Sequence, residues 1–89
     1  MDERVSDHSE LRFLQRTGER EKSLSEVWEM AVPCDVRHHG YDEARISPEY
    51  EVVMLQSDGK IVTVLYSDPL DVSVEPNYLE EYLERSIEQ

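Results

Sequence analysis

The chain reads as one small α+β domain: two N-terminal helices, a mostly antiparallel sheet with a central hairpin over residues 50–67, and a C-terminal helix. Three observations lead there. Two runs rich in β-branched residues, Tyr50–Ser57 and Lys60–Ser67, flank Asp58-Gly59, and a two-residue type I′ turn requires positive φ at both central positions. Helix-opening signatures stand both before this hairpin and after it. With 89 residues, 38% of them hydrophobic, the chain can bury one modest core, so residues 1–89 form a single domain.

A two-residue turn at Asp58-Gly59 sets a register. Leu55 then faces Val62, Val53 faces Val64 and Glu51 faces Tyr66 on one side of the ribbon. On the other side Gln56 faces Ile61, Met54 faces Thr63 and Val52 faces Leu65. Both sides are largely apolar, so both strands are expected in the middle of a sheet covered on two faces.

The remaining elements follow in order. Met1 to Ser6 is polar and expected to fray. Asp7-His8-Ser9-Glu10 has the spacing of a capping box and opens a helix that ends near Gly18, with Leu11, Phe13 and Leu14 on an apolar arc. Ser23-Leu24-Ser25-Glu26 opens a second helix, whose stripe Leu24, Val27, Trp28 and Ala31 anchors it through Trp28 and which Pro33 ends. Cys34–Arg37 and Ala44–Ile46 are short extended pieces separated by a turn at Gly40–Glu43. After a turn at Asp68-Pro69, Leu70, Val72 and Val74 alternate with Asp71, Ser73 and Glu75, the pattern of an edge strand. Asn77 to Glu80 caps the last helix, whose apolar stripe is Leu79, Tyr82, Leu83 and Ile87, with Glu80, Glu81, Glu84 and Glu88 outward.

Charge narrows the function classes. There are 21 acidic against 9 basic residues, a net charge of −12. That sign repels polyanions and anionic membranes. The acid is uneven: residues 1–22 carry −1, residues 23–67 carry −5 and residues 68–89 carry −6. A polyacidic chain with only two lysines, Lys22 and Lys60, also fits adaptation to a high-salt cytoplasm of the haloarchaeal type, where screening weakens net charge as a guide to partners. No run approaches the roughly 20 apolar residues of a membrane span, and the lone Cys34 fits a reducing compartment, so a cytoplasmic location is expected.

Four constellations carry chemistry. His8, Arg12 and Arg16 line up at i, i+4, i+8 on the first helix, opposite its apolar arc. An imidazole can move the proton of a ribose 2′-hydroxyl while guanidinium groups stabilise a charged phosphorane; the same spacing also describes an ordinary solvated face. Cys34, His38 and His39 lack a completing ligand pair, and adjacent histidines in an extended segment point to opposite sides, so no metal is expected. No two carboxylates converge into an acid–base pair, and Gly18, Gly40 and Gly59 are isolated, so neither a phosphate-cradling loop nor any other cofactor site is read. Finally, a hairpin apolar on both faces and a helix bearing Tyr78, Leu79, Tyr82 and Leu83 leave surface for a protein partner or a second copy of the chain.

Ser6-x-His8, Arg12 and Arg16, then Ser25-Glu26-Val27 opening a second helix, then the late strand Ile61–Tyr66, together resemble small RelE/BrnT-like proteins over about residues 6 to 67. The resemblance implies two helices ahead of a curled antiparallel sheet and metal-independent RNA cleavage, with His8, Arg12 and Arg16 as catalytic candidates. Arg45 and Tyr66 join them as phosphate-binding candidates, because they lie on or beside the sheet. Against cleavage stands the C-terminal block, where Arg85 alone faces seven acids. The expected role is therefore a non-catalytic protein-interaction module, whose partner is another protein or a second copy of the chain in a homodimer, with a toxin-like endoribonuclease as the alternative.

Overall fold

At the hairpin tip Asp58 and Gly59 have φ of 52° and 79°, the left-handed pair that a type I′ turn demands. The computed structural model describes residues 5–68 and 70–87. Within them the order is α1 (Asp7–Thr17), α2 (Leu24–Met30), β1 (Val32–Val36), β2 (Glu43–Ser47), β3 (Val52–Ser57), β4 (Lys60–Tyr66), β5 (Val72–Val74) and α3 (Leu79–Ile87), the last preceded by a 3₁₀ turn at Pro76–Tyr78. The fold is α+β, with the two helices before the sheet and one after it.

The five strands lie in the order β4-β3-β2-β1-β5, every neighbouring pair antiparallel. Only β3 of the hairpin is central; β4 is an edge, so the expectation of two central strands fails for it. Part of that edge is covered by Val5, which bridges to Ile61 and is 5% exposed, while the Ser6 amide donates to the Ile61 carbonyl. Val5 and Ser6 are thus ordered rather than frayed, while Met1 to Arg4 lie outside the described residues, as do Pro69 of the expected turn and Glu88 of the expected outward row.

The hairpin register departs from a regular ladder. Gln56 pairs with Ile61, but Leu55 pairs with Thr63, Met54 with Val64, Val53 with Leu65 and Val52 with Tyr66. Val62 is the extra residue of a β-bulge between Leu55 and Gln56 on the partner strand. Beyond it every side chain of β4 changes face relative to the straight register. Ile61 and Val64 now join Val52 and Met54 on one face, where they meet Val5, Phe13, Leu24, Val27 and Trp28. This is the helix-covered layer, and Phe13 sets its ring edge-on to Tyr50 at 5.4 Å.

The second layer joins Val53 and Leu55 to Val32, Cys34, Val36, Ala44 and Ile46, with Leu65, Val72, Val74 and Tyr82 against them. It exists because the sheet curls. In β1, Val32 and Pro33 pair with β2, whereas Cys34–Val36 pair with β5. Pro33 therefore sits in a strand rather than ending α2, which closes at Met30. Leu70, expected in the edge strand, is 82% exposed ahead of β5.

Local signals place most ends. Ser6, not Asp7, is the N-cap of α1: the Ser9 amide donates to Ser6 Oγ at 3.1 Å. Gly18 closes that helix at φ 70°, where a Cβ would be strained. Leu11, expected on the apolar arc, is 54% exposed, because Phe13 alone takes the core position of that turn. Met54 is fully buried on the central strand. Met54→Ala is expected to cost about 2–5 kcal/mol, read as a lower urea midpoint in chemical denaturation, a large share of the roughly 5–15 kcal/mol that holds a small domain.

Candidate functional site

The bulge at Val62 decides the site. In a straight register Tyr66 would face Glu51; here it pairs with Val52 and shares the face of Val64. That face lies under α1, and the Arg16 guanidinium stacks over the Tyr66 ring at 4.1 Å from its centroid, a cation–π contact. Arg16 is partly buried and its Nε is enclosed with no hydrogen-bond partner among the described residues. A pocket of about 330 Å³ opens beside this pair, lined by Arg16, Val36, His39, Leu65, Tyr66 and Val72, with Asp68 and Asp71 also in its wall.

The other candidates take no part in this stacked pair. His8 and Arg12 are exposed on α1. Arg45, on β2, donates from Nε to Glu43 at 2.6 Å and from Nη1 to the Trp28 carbonyl at 2.9 Å, and its guanidinium lies 4.4 Å from the Trp28 ring centroid. It joins α2 to the sheet. Of the five residues singled out from the sequence, the fold brings together Arg16 and Tyr66.

Two charged pocket residues, Asp68 and Asp71, escaped sequence reasoning, and His39 was weighed there only as a metal ligand. Their convergence is tertiary. The Asp68 carbonyl accepts from the Asp71 and Val72 amides, at 3.0 and 2.9 Å, and its Oδ1 accepts from the Leu70 amide. This turn bends the β4–β5 connection back toward β1, where the Arg37 amide donates to the Asp71 carbonyl. The two carboxylates make the wall acidic, so a phosphate approaching Arg16 would meet like charge from both of them.

Cys34 is buried in the second layer. Burial, helped by Asp35 and Glu75, pushes its thiol up to about 12 from 9.0. His38 stands at φ 65° in the turn after β1. Among the described residues there is no group of three or more histidines, cysteines and carboxylates placed to hold a metal ion, and no helix is long and apolar enough to cross a membrane.

The match with known families falls on this framework. The family described as "Putative RelE superfamily toxin domain" matches residues 5–68, which run from the Val5 bridge to the end of β4. The chain belongs to that family, and the RelE-like resemblance drawn from the first helix and the late strand holds. No curated protein and no solved structure matches the chain. The C-terminal 21 residues, with β5 and α3, lie beyond the matched region.

The thiol offers a test of the layered core. At pH 8 Cys34 should react with a thiol reagent on the order of a thousandfold more slowly in the folded protein than in urea, the ratio implied by a shift from 9.0 to about 12. Folded protein holds this proton where unfolded protein releases it, so the contribution of Cys34 to stability is intact below pH 9 and is lost as pH rises toward 12. Urea midpoints measured across that range should fall for the wild type and fall less for Cys34→Ala.

Proposed function

We propose that this toxin-superfamily domain acts by binding protein, as the member of a toxin–antitoxin pair that meets its partner and target through protein surfaces. The observation that carries the reading is the acidic wall of the pocket. Asp68 and Asp71 line the same pocket as the stacked Arg16–Tyr66 pair. With a net charge of −12, the domain attracts basic protein surface and repels nucleic acid. Arg45, engaged with Glu43 and Trp28, serves the fold in this reading rather than a phosphate.

A second reading, a metal-independent endoribonuclease, is favoured by one observation: the enclosed, unpartnered Nε of Arg16 beside the exposed Tyr66 ring. In it Arg16 would stabilise charge on a phosphodiester and Tyr66 would stack against a base. His8 would supply the proton-transferring imidazole from its exposed place on α1, with Arg12 beside it one turn on.

The experiment is incubation of a mixed RNA pool with purified protein, free of metal, from about 0.1 M to molar potassium chloride, the range over which screening removes long-range repulsion. The protein-binding reading expects intact RNA at every salt concentration. Cleavage that disappears in Arg16→Ala or His8→Ala, with folding retained by circular dichroism, would replace it with the nuclease reading.

A further inference from the structure

The last helix is turned the wrong way round for a helix whose task is to cover its own sheet. Leu79, Leu83 and Ile87 are spaced i, i+4, i+8 and form one stripe, yet they are 44%, 49% and 79% exposed. Tyr78, at the end of the 3₁₀ turn before α3, is exposed as well. The residues that look inward are Tyr82, which packs on the second layer, and Arg85, which forms a two-pronged ion pair with Glu49 in the turn between β2 and β3. An Arg85–Glu49 pair fixes the rotation of α3 about its axis, since both prongs must point at the sheet. Of the stripe expected to cover the sheet, Tyr82 therefore does so while Leu79, Leu83 and Ile87 are held toward solvent, with Glu80 and Glu84 exposed on one flank of that row.

We infer that the Leu79–Leu83–Ile87 stripe is a docking surface for a basic amphipathic helix of a partner protein. The inference rests on the protein-binding reading above and names the partner's chemistry. An apolar row with spacing of one helical turn matches the anchors of a helix laid against it. The flanking carboxylates select the charge of that helix, because Arg85, the one cation of this segment, is already occupied by Glu49 and by Glu81 at 3.6 Å. A second copy of α3 carries the same excess of carboxylates, Glu80, Glu81 and Glu84 against Arg85 alone, and like-charge repulsion disfavours it as the occupant. α3 also lies beyond residues 5–68, which match the toxin family, so the surface is not part of the matched region.

The probe is a labelled helical peptide of about 18 residues with one leucine face and lysine elsewhere, long enough to present two or more turns to α3. Its binding to the full chain is followed by fluorescence anisotropy beside a scrambled peptide of the same composition and a leucine–glutamate peptide. The inference expects the leucine–lysine helix alone to bind well, with Leu83→Glu raising its Kd at least about tenfold. Leu11→Glu, an exposed apolar position on α1, should leave it unchanged. Equal binding of the scrambled peptide, or insensitivity to Leu83→Glu, would overturn the α3 surface. So would failure of every peptide, whether sedimentation finds a monomer or finds a dimer that Leu83→Glu dissolves. Those results leave the protein-binding reading standing, because that reading falls by RNA cleavage, a separate measurement.

Discussion

The constraint on which this fold depends is the short passage between Tyr66 and Val72. The two strands it joins are the opposite edges of the sheet. Four inter-strand spacings of a flat sheet would separate those edges by about 19 Å, close to the full stretch of six Cα steps, about 20 Å. The passage is not stretched: the Asp68 carbonyl takes the amides of Asp71 and Val72 and makes a tight turn. The sheet must curl to bring its edges together. Curling gives β1 two partners, one for each half, and encloses the second apolar layer around Val53 and Leu55. It also carries Asp68 and Asp71 to the side of Arg16 and Tyr66. The acidic character of the pocket is thus a by-product of closing the sheet in few residues.

How much of this could be read from the chain depends on whether the signal was local. Asp58-Gly59 was legible because the turn type fixes two φ angles that few residues tolerate. The helix starts at Ser6 and Ser23 were legible to within a residue, since a hydroxyl three positions before a free amide is a local geometry. The bulge at Val62 was not. Valine and threonine suit a strand equally well on either face, and only the fit of Ile61 and Val64 together under α1 and α2 selects the slipped register. Because Tyr66 lies beyond the bulge, its meeting with Arg16 was hidden with it, although each residue stood out on its own.

The last helix shows the opposite failure. Its pattern was read correctly as amphipathic, but an amphipathic pattern states which residues share a face and not which way that face turns. Direction is set by Arg85 and Glu49, 36 residues apart in the chain and joined only in the folded molecule. Arg45 illustrates the same limit, since a basic residue on a strand reads as exposed until Trp28 is found beneath it. Side chains such as His39, Asp68 and Asp71 enter the pocket from two separate loops, and no spacing in the sequence announces that.

Trp28 is the single tryptophan of the chain, and its position gives the molecule a one-sided optical reporter. It is buried in the helix-covered layer with a guanidinium stacked on its ring, so its emission senses α2, β2 and the packing between them. Tyr82 and the whole of α3 belong to the other side of the sheet. Events on that side, such as a helix docking or α3 lifting away, leave the indole in the same surroundings. Tryptophan emission therefore follows the integrity of the domain, while anything that happens at α3 has to be observed with a label placed there.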